Sequence, residues 1–106
     1  MSDHRRSQTE IRSTMDKQVF NNEKNLQYEI HEDGSVATLQ YRFEKGNIVL
    51  MHTFVPEELR GKGLAAELAH AALEDTKVRG IKAIVYCPFV AAYLKRHPEY
   101  DYLVKQ

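Results

Sequence analysis

The chain is poor in cysteine, in net charge and in long apolar runs, and each shortage removes a class of protein. A single cysteine among 106 residues excludes an intramolecular disulfide framework and any zinc site built from several thiolates. A small secreted fold without such a staple is unusual, so the cytoplasm is the expected compartment. Lys and Arg number 15 and Asp and Glu 15, for a formal net charge of zero. That balance speaks against a dedicated nucleic-acid binder, whose affinity rests on a basic surface releasing counterions. No apolar run approaches the roughly 20 residues that a membrane-spanning helix needs. The opening MSDHRRSQTE lacks the apolar core of a signal peptide. There is no internal repeat and no low-complexity tract.

What is present is the composition of a globular domain, 42% hydrophobic and 28% charged. Residues 1–17 carry only Met1, Ile11 and Met15 as large apolar side chains, too few to offset ordering entropy, and read as a flexible tail. A single domain is then expected over 18–106, small but able to bury a core. Leu26, Tyr28 and Ile30 alternate with Gln27, Glu29 and His31, the period-two signature of a half-buried strand. Asp33-Gly34 marks a hairpin turn, because glycine tolerates positive φ. A second alternation follows, with Ala37, Leu39, Tyr41 and Phe43 on one face. Residues 48–55 are apolar on both faces and predict a central strand buried on two sides.

At Pro56 the period changes. Leu64, Leu68, Ala69, Ala72, Leu73 and Thr76 recur at helical spacing, with Glu67, His70, Glu74 and Lys77 predicted on the opposite, solvated face. Lys77 and Arg79 suit the negative end of the helix dipole, and Gly80 is a stop. Residues 81–87 return to an apolar run that suits a buried parallel strand, completing a strand–helix–strand unit with a right-handed crossover. Pro88 ends it, a short helix is expected over 89–96, and Tyr100, Tyr102, Leu103 and Val104 are expected to pack back as a strand or extended segment. The fold class is α+β: an antiparallel meander leading into a βαβ unit, one mixed sheet with one long and one short helix.

The loop Arg60, Gly61, Lys62, Gly63, Leu64 and Ala65 lies between the buried strand and the long helix. Glycines there let a ligand approach the backbone, and the first amides of a helix have no internal partners. With Arg60 and Lys62 beside them, these groups make an anion site that a diphosphate would fit. No Gly-Lys-Ser/Thr follows, so this is not a nucleotide P-loop, and the three spaced glycines of the dinucleotide fingerprint are missing. A tight strand-to-helix turn without a ligand explains the composition equally well.

The stretch Arg60-Gly61-Lys62-Gly63-Leu64-Ala65 resembles the Arg/Gln-x-x-Gly-x-Gly/Ala signature of the GNAT superfamily of N-acetyltransferases. From about Ile48 to Val104 the chain resembles a compact, single-domain subgroup of that superfamily. The resemblance implies that acetyl-CoA is the cosubstrate, that its diphosphate sits on the 60–65 loop, and that its pantetheine arm runs beside His52, Thr53, Phe54 and Val55. The helix holding Tyr93 and Arg96 would line the other side. It also implies an amine acceptor. A full-length GNAT domain usually has two helices between its first strands that help to bind the acceptor; only a few polar residues separate Phe20 from Leu26 here. A CoA-binding or sensing module with little catalysis is therefore the alternative.

Three residues are candidates for the chemistry. His52 interrupts an apolar strand, and an imidazole is suited to take a proton from an incoming ammonium near neutral pH. Cys87 has three roles open to it: carrying the acetyl group, protonating the departing thiolate, or packing as a small apolar residue. Tyr93 falls near where many GNAT enzymes carry a tyrosine that protonates the thiolate. Direct attack by the amine is the expected route, because nothing in the sequence clearly supplies Cys87 with a partner cation other than His52. Glu57 and Glu58 are alternative bases acting through water. His31 and His70 are expected at the surface. No pair of histidines or carboxylates has metal-ligand spacing, and no metal is expected.

Overall fold

A computed structural model describes residues 18–105 and the backbone of 10–12. The sheet has six strands among these residues, in the order of the chain: β1 (Glu10–Arg12), β2 (Gln18–Asn22), β3 (Gln27–Glu32), β4 (Ser35–Glu44), β5 (Asn47–Phe54) and β6 (Ala83–Val85). The first five pair antiparallel, and β6 joins β5 in parallel. Of the segment expected as a tail, 10–12 thus adds a strand to the edge, and the remainder of 1–17 lies outside the described residues. The Asp33-Gly34 turn forms as expected, with both residues at positive φ. Strand β2 passes to β3 through a short turn, so no helix stands between these strands.

Helix α1 (Leu64–Arg79) crosses one face of the sheet and α2 (Pro88–Arg96) packs beside it. Leu39 on β4, Leu50 on β5 and Leu64, Leu68 and Leu73 on α1 form one buried cluster with Cys87, Val90 and Leu94. Tyr28 reaches across that core from β3 and donates its hydroxyl to Asp75 on α1 at 2.6 Å. The pairing of Tyr28 with Leu39 and of Leu39 with Thr53 puts all three on the face that carries α1, because paired residues project to the same side of a sheet.

Four sequence expectations change. Strand β5 is buried on both faces only over Ile48, Val49 and Leu50; His52 and Phe54 are exposed. Strand β6 ends at Val85, so Cys87 leaves the strand and becomes the residue preceding α2. Residues Pro98–Leu103 form a 3-10 helix, and only Val104 bridges to Ala83. Pro98 fixes φ in the helical range and so starts a turn instead of a strand. This 3-10 helix and α2 cover the supposed solvated face of α1, so Glu67 is 2% exposed and His70 is half-buried.

Candidate active site

The site grows from an irregularity in β5. Gln40 pairs with His52 but Tyr41 pairs with Leu50, so Met51 is one residue too many. Such a bulge bends its strand and disrupts the local ladder. On the other edge, β5 and β6 share three pairs, the last being Leu50 with Val85. The amides of Tyr86 and Cys87 then both donate to the Leu50 carbonyl, at 2.9 and 3.1 Å, and the chain turns away into α2. Past Leu50 the two parallel neighbours no longer pair.

The bulge also decides which side chains can meet. His52 shares the face of its partner Gln40, which is exposed. Thr53 shares the face of Leu39, on the helix side, and its hydroxyl lies 3.1 Å from the Cys87 sulfur. Cys87 itself is 1% exposed. The structure thus brings Cys87 to Thr53 and not to His52, and it sets the thiol and the imidazole on opposite sides of the strand. Sequence reasoning valued Thr53 only as a strand residue beside the cofactor. The one-residue bulge that turns its side chain toward Cys87 leaves no mark in the hydrophobic pattern.

At the end of β5 a 3-10 turn (Glu57–Leu59) leads into the glycine loop. Gly61 and Gly63 have φ of 83° and 77°, and a Cβ on either would meet nothing within 4 Å. The left-handed backbone therefore demands glycine, and the space beside it is open. The first bond into α1 runs from the Glu67 amide to the Gly63 carbonyl at 3.1 Å, and no side chain caps the helix. The amides of Leu64, Ala65 and Ala66 thus precede the helical ladder. Arg60 is steadied by its Nε, which donates to the Val55 carbonyl at 3.3 Å. Lys62 bridges instead to Glu32 at 3.2 Å, tying the loop to the β3–β4 hairpin. A cavity of about 390 Å³ runs along this loop, walled by Val55, Arg60, Gly61, Gly63, Phe89 and Arg96.

Tyr93 joins a partly buried polar cluster between the helices. Its hydroxyl lies 3.4 Å from Nδ1 of His70, which is also 3.2 Å from the Tyr100 hydroxyl. Tyr100 donates to Glu74 at 2.5 Å. That bond holds the Glu74 carboxyl below the usual carboxylate range. Burial, with the nearby carboxylates of Glu99, Glu67 and Glu74, pushes the Tyr93 phenol up. Of the alternative bases, Glu57 is exposed and Glu58 accepts a hydrogen bond from Ser35. That bond lowers the Glu58 carboxyl's affinity for a proton. No cluster of three metal-ligating side chains occurs among the described residues, and no helix among them is long and apolar enough to cross a membrane.

A parallel pair that parts beside an uncapped helix N-terminus is the frame of an acetyltransferase-like domain, and comparison with known families agrees. Residues 27–103 match the family described as GCN5-related N-acetyl-transferase. The chain belongs to that family. It is also similar to Protein NATD1 of Gallus gallus, with 36% identity over 89 residues that cover 81% of each chain. Protein NATD1 of Danio rerio is 34% identical over 80% of each chain. Protein NATD1 of Homo sapiens is 40% identical over 68 residues, covering 63% of this chain and 60% of its own.

Proposed function

We propose that this protein binds acetyl-CoA and transfers its acetyl group to an amine by direct attack. The observation that carries the reading is the parting of β5 from β6 at Leu50 next to the open 60–65 loop. The diphosphate is bound by the amides of Leu64, Ala65 and Ala66 and by Arg60, where the helix dipole favours negative charge. The pantetheine amides pair with the backbone of 51–55, which the missing strand neighbour leaves able to hydrogen-bond. The thioester then lies between the two side-chain positions that the bulge separates.

In this geometry the amine approaches from the exposed face of β5, where His52 takes its proton. The nitrogen attacks the thioester carbonyl, the new C–N bond forms, and the C–S bond breaks as the tetrahedral intermediate collapses. The departing sulfur, on the helix side, receives a proton from the Cys87 thiol or from solvent, with Thr53 orienting the thiol. Base and acid on opposite sides of the strand suit a single displacement, since one group meets the acceptor and the other the leaving group. Tyr93, bonded to His70, walls the groove.

Release of free CoA thiol with a panel of amines tests the proposal: turnover that requires both acetyl-CoA and an amine is expected. A second reading, a CoA-binding module without efficient catalysis, is favoured by the direct turn from β2 to β3, which leaves no helices there to hold an acceptor. Tight CoA binding without amine-dependent thiol release would establish that reading instead.

A further inference from the structure

The sheet face turned away from α1 and α2 carries His52, and with it a buried carboxylate that the transfer reaction leaves unused. Gln27 on β3 pairs with Gln40 on β4, which pairs with His52 on β5. One step along the same face, Phe20, Glu29, Thr38 and Phe54 form a second row across β2 to β5. Glu29 is 7% exposed. Its Oε2 accepts from Asn22 Nδ2 and Gln27 Nε2 at 2.9 and 2.6 Å, and its Oε1 lies 2.8 Å from His31 Nε2. We propose that Glu29 receives a second ammonium group of the acceptor, so that the acceptor is an extended diamine lying across β4 with its reacting nitrogen at His52. This rests on the reading that the amine meets the thioester from the His52 face.

The charge state of Glu29 suits the role. Burial works against the anion, but the bonds from Gln27, His31 and Asn22 hold its carboxyl below the usual carboxylate range. No lysine or arginine bridges it among the described residues, and His31 is a cation only when protonated. A buried carboxylate without a fixed counter-cation is costly to keep, and a bound ammonium removes that cost. A carboxylate has about four lone-pair sites, so three donors leave Oε1 able to accept once more.

The span sets the kind of amine. Glu29 stands two strands across and two residues along from His52, about 12 Å at ~4.8 Å per strand and ~3.3 Å per residue. A short monoamine cannot reach both. The floor between them is Gln40 and Thr38, which carry no charge, with the exposed Phe54 ring alongside. Methylene groups can lie on such a floor, and the ring face attracts a passing cation. On the other side of Gln40 the same face carries the exposed Arg42. Its positive charge repels a second ammonium in that direction and leaves the path to Glu29.

Thiol release from acetyl-CoA with α,ω-diaminoalkanes of increasing length, each beside the monoamine of equal length, tests the assignment. The longer diamines should exceed their monoamines about tenfold in kcat/KM, chiefly through KM, a factor worth ~1.4 kcal/mol. The shortest diamine should show no gain. Glu29→Gln should bring the ratio of long diamine to monoamine to about one. So should Thr38→Lys, which sets a permanent ammonium opposite the carboxylate at a half-buried position that folding tolerates. Equal use of diamine and monoamine by the wild type overturns the role of Glu29 while leaving the transfer reaction intact. A parallel loss of both in the two variants, with the ratio kept, does the same. If no amine releases thiol, the transfer reading fails and the diamine site with it.

Discussion

The two edges of β5 are built to different ends. Toward β4 the strand is paired from Asn47 to Phe54, with one bulge. Toward β6 the pairing stops at Leu50, and the chain that should continue it becomes α2. The first edge does what a sheet interior does, joining Leu39 and Leu50 in the core cluster. The second leaves main-chain groups in need of partners beside a loop with the same need. A sheet edge left unfinished is a place where an extended polar chain can dock by its amides, and a pantetheine arm is such a chain. Stability should therefore reside on one edge of β5 and ligand response on the other.

Substitutions on the two edges should separate accordingly. Leu39→Ala, on the paired side and fully buried, should cost about 2–5 kcal/mol in denaturant unfolding through lost burial and a residual cavity. His52→Ala lies past the point of divergence on the exposed face. It should lower the turnover rate about 10²-fold while stability shifts by less than ~0.5 kcal/mol. A large fall in melting temperature for His52→Ala would erase the contrast between the edges. Thr53→Val keeps the volume and removes the oxygen facing Cys87. A loss of about fivefold in turnover is expected with acetyl-CoA affinity retained, since one neutral hydrogen bond is worth ~1 kcal/mol. If transfer is direct as proposed, intact-mass measurement after mixing with acetyl-CoA should show no acetyl adduct on Cys87 that an amine then discharges.

The smallest effect is set by pH and lies outside both edges. Hydrogen bonding from Tyr100 depresses the Glu74 carboxyl. A depressed carboxylate stabilises the fold above its unfolded value, near about 4.3, and that contribution is lost as pH falls through the lower folded value. Tyr100→Phe should therefore cost about 1 kcal/mol at neutral pH and make the decline in stability below about pH 4 shallower. An acid limb as steep as the wild type's would mean that Glu74 is not the group responsible.

Much of this fold could be read from residue pattern because it is local. Asp33-Gly34 wrote its own turn, and the alternation of Ala37, Leu39 and Tyr41 gave β4 its inward face. The leucines and alanines of α1 marked the helix, and Gly80 its end. The loop was legible for the same reason, since left-handed glycines and an uncapped helix start are properties of a few consecutive residues. What escaped was long-range. Glu67 and His70 occupy positions that a helical wheel assigns to solvent, and only the packing of α2 and Pro98–Leu103 buries them. The pairing of Thr53 with Cys87 depends on a single extra residue, Met51, which shifts every later side chain of β5 to the other face.

Backbone amide exchange with and without CoA addresses the unfinished edge most directly. Binding should slow exchange at 51–55 and at 64–66 well beyond the uniform protection that ligand stabilisation confers, while the amides of β3 follow the uniform change alone. Uniform protection throughout the chain, or protection confined to the β2–β3 hairpin, would contradict a cosubstrate held between β5 and the start of α1.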